Sequence, residues 1–145
     1  MSHTQKLPNG SGNLERDANR FRHSAVDVYT NTELSGGSFF QHKSILLNAL
    51  VTDLTLNPDY QTHTKPVCQY LEECLKSPEV AFPELTGAIA GFSGRLHWQI
   101  NQKYVGVFDD HFLQNEAFVE IIGPTGLLLA PSIRVGLLLL GKAMH

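Results

Sequence analysis

The last third of the chain sets the tightest limit on its fold. It reads Phe118-Val119-Glu120-Ile121-Ile122-Gly123-Pro124-Thr125-Gly126-Leu127-Leu128-Leu129-Ala130-Pro131-Ser132-Ile133-Arg134-Val135-Gly136-Leu137-Leu138-Leu139-Leu140-Gly141. The pattern predicts short apolar strands cut by two turns. Pro124 presets φ at the first central position of Gly123-Pro124-Thr125-Gly126, and Gly126 closes that turn; Pro131-Ser132 makes the second break. Ile133, Val135, Leu137 and Leu139 alternate onto one face of the last strand. Leu138 and Leu140 make the other face apolar too, so this strand is expected to be covered on both sides. Arg134 is the one charged residue in this last strand.

Upstream the periodicity is helical. Residues 1–13 are polar with Pro8, Gly10 and Gly12, and read as a flexible tail. From Leu14 to Tyr29, residues Ala18, Phe21, Ala25, Val28 and Tyr29 fall near one helical face. Asn31 to Gly37 reads as a loop. Ser38 is placed to cap a second helix running to about Leu56, with Phe39, Phe40, Leu46, Leu47, Leu50 and Leu54 as its stripe and Asn57-Pro58-Asp59 as its end. A third helix follows Thr64, with Pro66 in its first turn; Val67, Tyr70, Leu71, Cys74 and Leu75 face one way until Ser77-Pro78. A short helix fits Glu84 to Ser93, where Gly87, Ala88, Ala90 and Gly91 suit close packing rather than a phosphate cradle.

At Leu96 the period changes. Leu96, Trp98 and Ile100 alternate with His97, Gln99 and Asn101, as in a half-buried strand. Lys103 to Phe108 reads as a further extended piece and Asp109-Asp110-His111 as a polar loop. A helical N-terminal half followed by strands gives an α+β fold class.

The net charge of −3 gives no electrostatic case for nucleic acid or an anionic membrane. The N-terminus lacks the apolar core of a signal peptide, and no run reaches transmembrane length, so the expectation is a cytoplasmic protein without membrane or nucleic-acid partners. Cys68 and Cys74, six apart on a helix, face different ways, which favours reduced thiols.

Candidate chemistry is sparse. His97, Asp109, Asp110 and His111 are of metal-ligand type, but their spacing matches no ligand motif, and a solvated loop beside an outward strand histidine is the plainer reading. Glu116 and Glu120 could form an acid/base pair; the plainer reading makes one a surface group and the other a polar strand-face residue. Arg134 suits an anionic carboxylate inside a barrel, against an outward arginine at a sheet edge. Trp98 and Tyr104 suit a pocket for a cation, against plain core packing. No nucleophile elbow, Walker motif or dinucleotide fingerprint is present, so no catalytic residue and no metal ligand is assigned.

The stretch Leu96-His97-Trp98-Gln99, then Glu116-Ala117-Phe118-Val119-Glu120-Ile121-Ile122-Gly123-Pro124-Thr125-Gly126, then Ile133-Arg134-Val135-Gly136-Leu137-Leu138-Leu139-Leu140-Gly141 resembles the cupin-type dimethylsulfoniopropionate lyases, over about the last third of the chain. The resemblance implies a helical N-terminal part (14–95) followed by the first antiparallel strands (96–145) of a cupin-like, double-stranded β-helix barrel. It implies a β-elimination that gives dimethyl sulfide and acrylate. It implies a divalent metal (Fe, Zn, Mn or Ni) held by His and Glu in the full-length family, and a Tyr as base. In that family a Tyr-Pro, His-x-His and Glu motif follows the Gly-Leu-Leu-Leu strand. This sequence stops at His145, about where that motif begins, so no ligand and no base carries over to any residue here. The expectation is the front part of such an enzyme, binding no metal of its own, inactive as it stands, with Trp98, Tyr104 and Arg134 as substrate-pocket residues. A non-catalytic cupin-like binding or regulatory protein is the alternative, and an uncovered apolar edge would favour a homo-oligomer.

Overall fold

Helix α1 (Gly12–Asn31) buries Leu14, Ala18, Phe21 and Ala25, a row at helical spacing down one face. The computed structural model describes the backbone of residues 5–6, 12–31, 37–51, 54–77 and 82–141, and the side chains of 13–31, 43–51, 54–77 and 82–141. Of the expected tail, Gln5–Lys6 forms strand β1, and residues 12–13 begin α1. Residues 32–36 of the expected loop, and the side chains of Ser38, Phe39 and Phe40, lie outside the described residues.

Helix α2 (Gly37–Leu50) is shorter than its apolar stripe suggested. Val51, Thr52, Asp53 and Thr55 are poor helix formers, and the chain leaves the helix where they begin. The buried Arg22 of α1 meets the helix end: Nη1 donates to the Leu50 carbonyl at 2.6 Å, while Nε donates to Asn19 Oδ1 at 2.9 Å. Thr55–Leu56 is then strand β2, not helix. Asn57-Pro58-Asp59 ends that strand instead. Asn57 N–H donates to the Leu127 carbonyl at 2.8 Å and its side-chain amide to the Gly126 carbonyl at 3.1 Å, fastening this turn to the far end of the chain.

Strand β3 (Gln61–Thr62) pairs antiparallel with β1. Pro66–Tyr70 is a 3₁₀ turn leading into α3 (Leu71–Leu75). The tighter winding changes the phase of the face, so Cys74 is exposed where a continuous α-helix would have placed it with Leu71 and Leu75. Both cysteines are free. Helix α4 (Pro83–Ala90) packs on α1; a Cβ on Gly91 would lie 3.4 Å from Asp17 Cγ, which is the close packing the small residues suggested.

The segment 96–100 makes one bridge on each side, His63 with His97 and Gln99 with Phe118. The expected extended piece at 103–108 is instead a 3₁₀ turn (Gln102–Tyr104) followed by a reversal at Gly106, whose φ of +83° suits glycine. The expected loop at 109–111 starts helix α5 (Asp110–Gln114), because Asp109 Oδ1 accepts from Phe112 N–H at 2.9 Å as an N-cap.

Strands β4 (Glu116–Gly123), β5 (Leu128–Leu129) and β6 (Val135–Leu140) follow, in a sheet of order β2-β5-β4-β6. The pairing is antiparallel except between β4 and β5, which run parallel because the chain doubles back through Gly123–Gly126 and rises again beside Ile122. The expectation that β6 is covered on both sides does not hold. It is the sheet edge, and Leu138 and Leu140 are 62% and 48% exposed. No helix among the described residues is long and apolar enough to cross a membrane.

Arg22→Met is expected to leave the Leu50 carbonyl without its donor and to destabilise the fold by about 1–3 kcal/mol. Urea denaturation measures it; an unchanged midpoint would remove Arg22 from the frame of the structure.

Candidate functional site

The register of β4 on β6 sorts their side chains onto two faces. Ala117 lies opposite Leu139 and Val119 opposite Leu137; these join Leu96, Trp98 and the helices in the core. Glu116 lies opposite Leu140, Phe118 opposite Leu138 and Glu120 opposite Gly136, on the other face. The bridge from Gln99 to Phe118 brings Gln99, and His97 two residues before it, to that second face. On this face Leu138 and Leu140 are exposed, while Glu116 is buried.

Beside this face lies a cavity of about 680 Å³, lined in part by Asn57, Asp59, Tyr60, His97, Gln99 and Thr125. Tyr60 is buried, and its hydroxyl accepts from His97 N–H at 2.7 Å. Burial pushes the Tyr60 phenol up to about 12. The His97 donation pulls the other way and the nearby Glu120 charge adds to the rise. Tyr60 therefore keeps its proton at neutral pH and serves as a donor, not a base.

Glu120 stands at the turn. Its Oε2 accepts from Thr125 N–H at 2.7 Å and from Thr125 Oγ1 at 2.8 Å, and its Oε1 faces Arg134 Nε at 3.2 Å. A Cβ on Gly123 would fall 2.6 Å from Glu120 Cδ, so the glycine makes room for the carboxylate to fold over the turn.

These features sit in a chain whose sequence matches a known family. The profile of the dimethylsulfoniopropionate (DMSP) lyases matches residues 40–145. The chain belongs to the DMSP lyase family. A chain from the crystal structures of the DMSP lyases RdDddP and RnDddQII superposes with a TM-score of 0.54 at 21% identity. The match covers 84% of this chain and 57% of that one, so this chain spans little more than half the length of that relative. No curated protein sequence matches it. The shared fold bears out an α+β chain with a helical N-terminal half followed by strands of a cupin-like kind.

Within this family member the sequence candidates are scattered. Trp98 is fully buried in the core. Tyr104 packs edge-on against Phe108 and Phe112, with centroids 5.2 and 5.6 Å away. Arg134 is exposed and paired with Glu120. His97 faces the cavity, while Asp109 caps α5 and Asp110 and His111 ride on that exposed helix.

Glu116 and Glu120 share a strand face but stand ~13 Å apart along it at strand rise, too far to share a proton. Nor is either a surface group. Glu116 is 3% exposed and Glu120 is half-buried. Glu116 Oε2 has no hydrogen-bond partner, and burial pushes its carboxyl above the usual carboxylate range. Gln99 and Thr125 read in the sequence only as strand and turn positions, and Tyr60 drew no notice. The alternation from Tyr60 to His63 was the one available signal, and Asn57-Pro58-Asp59 hid it by reading as a helix end.

The resemblance implies a divalent metal for the full-length family only. Among the described residues no three His, Cys, Asp or Glu side chains gather into a group able to hold a metal ion, and both Glu120 oxygens are already engaged. The described residues do not fit such a centre.

Two substitution series check these roles. Glu120→Ala is expected to cost about 1–3 kcal/mol by releasing the turn donors, and Arg134→Ala below about 1 kcal/mol because that partner is solvated. Equal losses in urea denaturation would refute the turn role. For Glu116 the folded-state pKa lies above the unfolded value, so protonation favours the folded chain. That stabilisation is complete below the unfolded pKa and lost as pH rises through the folded one. Glu116→Gln should therefore lose less stability than wild type between mildly acidic and neutral pH, and be the more stable at neutral pH. A difference that does not change with pH would contradict this.

Proposed function

We propose that this chain is the helical half and first barrel strands of a cytoplasmic carbon–sulfur lyase acting on DMSP. In that reaction a base takes the proton α to the carboxylate. Its electron pair forms the carbon–carbon double bond of acrylate, and the carbon–sulfur bond breaks with its pair on the departing dimethyl sulfide. The observation that carries the reading is family membership over residues 40–145. The partly exposed face of the sheet that carries Glu120, Phe118 and Leu138 supports it.

On that face Arg134 offers a guanidinium suited to the substrate carboxylate, and its partner Glu120 offers a negative charge for the sulfonium end. A zwitterion can thus lie along an ion pair already present. The Tyr60 hydroxyl, still protonated at neutral pH, is a donor beside the cavity. Among the described residues no three His, Cys, Asp or Glu side chains gather into a metal centre. We read the chain by itself as binding DMSP without turning it over, because no residue here matches the Tyr-Pro, His-x-His and Glu motif of the family it resembles. The non-catalytic binding alternative makes the same statement about this chain alone. The uncovered β6 edge favours association of copies.

Purified chain is to be titrated with DMSP by calorimetry and assayed for dimethyl sulfide with added Fe²⁺, Zn²⁺, Mn²⁺ or Ni²⁺. Binding that Arg134→Ala weakens, without dimethyl sulfide above the protein-free control, is expected. Metal-dependent release would overturn the inactivity, and absence of binding would overturn the substrate site.

A further inference from the structure

Two histidines face each other where the polar segment 60–63 meets the segment leading into the sheet. His63 and His97 form a parallel bridge, so their side chains leave the same face as direct neighbours. The His63 backbone is fixed on both sides of the bridge: its N–H donates to the Leu96 carbonyl at 3.1 Å and its carbonyl accepts from Trp98 N–H at 2.8 Å.

The hydrogen bonds of the two rings fix their tautomers. His63 Nδ1 lies 3.1 Å from the Trp98 carbonyl and His97 Nδ1 lies 2.9 Å from the Gln61 carbonyl. A carbonyl oxygen only accepts, so each Nδ1 must carry the proton and donate. In the neutral ring that leaves the lone pair on Nε2. Neither Nε2 has a protein partner among the described residues. An imidazole oriented by an Nδ1–H to carbonyl bond with Nε2 free is the form in which histidine binds metals.

The ring spacing agrees. Two imidazoles bound to one ion at ~2.0–2.1 Å, with a near-tetrahedral angle between them, hold their centroids ~5–5.5 Å apart. The centroids of His63 and His97 are 5.5 Å apart. Both rings are only half-buried, and His97 borders the cavity, so open coordination positions would face solvent.

We propose that His63 and His97 form a two-histidine site for a borderline divalent cation of the Zn²⁺, Ni²⁺ or Cu²⁺ class, with water or a small ligand completing the shell. Nitrogen donors without a carboxylate select against Mg²⁺ and Ca²⁺. The site does not depend on the lyase reading, and the test reads metal binding rather than turnover.

The experiment uses the whole chain. Imidazole nitrogens are followed by ¹⁵N NMR during addition of ZnCl₂, and affinity is followed by calorimetry. Before metal, both rings should show the Nδ1–H tautomer; with Zn²⁺, the Nε2 signals of His63 and His97 should shift together at one equivalent. His63→Asn and His97→Asn each keep a donor near the Nδ1 position and remove Nε2. Each should weaken this binding by more than about tenfold, while His111→Gln on exposed α5 should leave it unchanged. MgCl₂ should move neither ring. Zn²⁺ that shifts other histidines but not this pair, or that binds both Asn variants as well as wild type, would overturn the proposal. The wild-type spectra decide the matter even where a variant fails to fold.

Discussion

Everything on the sheet depends on how closely β6 approaches β4 at Gly136. A Cβ there would run into the Val119 carbonyl. The glycine therefore lets the two backbones meet and fixes Val119 opposite Leu137 and Glu120 opposite Gly136. Side chains alternate along a strand, so a slip of β4 by one residue would turn Ala117 and Val119 away from the core and Glu120 toward it. The register shift between Glu120 and Ile122 then sets the bend from which the Gly123–Gly126 turn leaves. The split between a core face and a mixed, partly exposed face that carries Glu116 and Glu120 is thus a consequence of one contact with no side chain in it.

That split was partly legible in the sequence. The alternation of Ile133, Val135, Leu137 and Leu139 gave the strand and its inner face, and the spacing of Ala18, Phe21, Ala25, Val28 and Tyr29 gave α1. Periodicity reports which residues prefer to be covered, not what covers them. Leu138 and Leu140 look as apolar as their neighbours, yet they sit on an edge strand away from the helices. The end of α2 was missed for a related reason. Leu54 and Leu56 continue its apolar pattern, but poor helix formers and the Arg22 cap stop the helix at Leu50. At 103–114 local hydrogen bonds decided the outcome, through the Gly106 reversal and the Asp109 cap.

The site was less legible than the fold because it is assembled from distant pieces. Asn57 and Tyr60, His97 and Gln99, and Thr125 come from separate segments, joined by bonds such as Asn57 to Leu127 and His97 to Tyr60. None of these pairings leaves a spacing signature. The resemblance over 96–141 located the family, but its chemistry-bearing motif lies outside the residues that carry it. The polar groups around the cavity emerge only from geometry.

Glu116 and Glu120 show how far environment outweighs residue type. Both sit on one face of β4. Glu120 meets a backbone N–H, a hydroxyl and a guanidinium, and so its charge is matched where it stands. Glu116 is buried with an oxygen that no donor reaches. Burial without a donor disfavours the anion there, which is why its pKa is raised. The sheet thus carries one carboxylate built into the turn and one held back from ionisation four residues away. A search for acid/base pairs by residue type and spacing treats the two as equals. The donors around them divide them into an anchor for the turn and a group whose protonation is tied to folding.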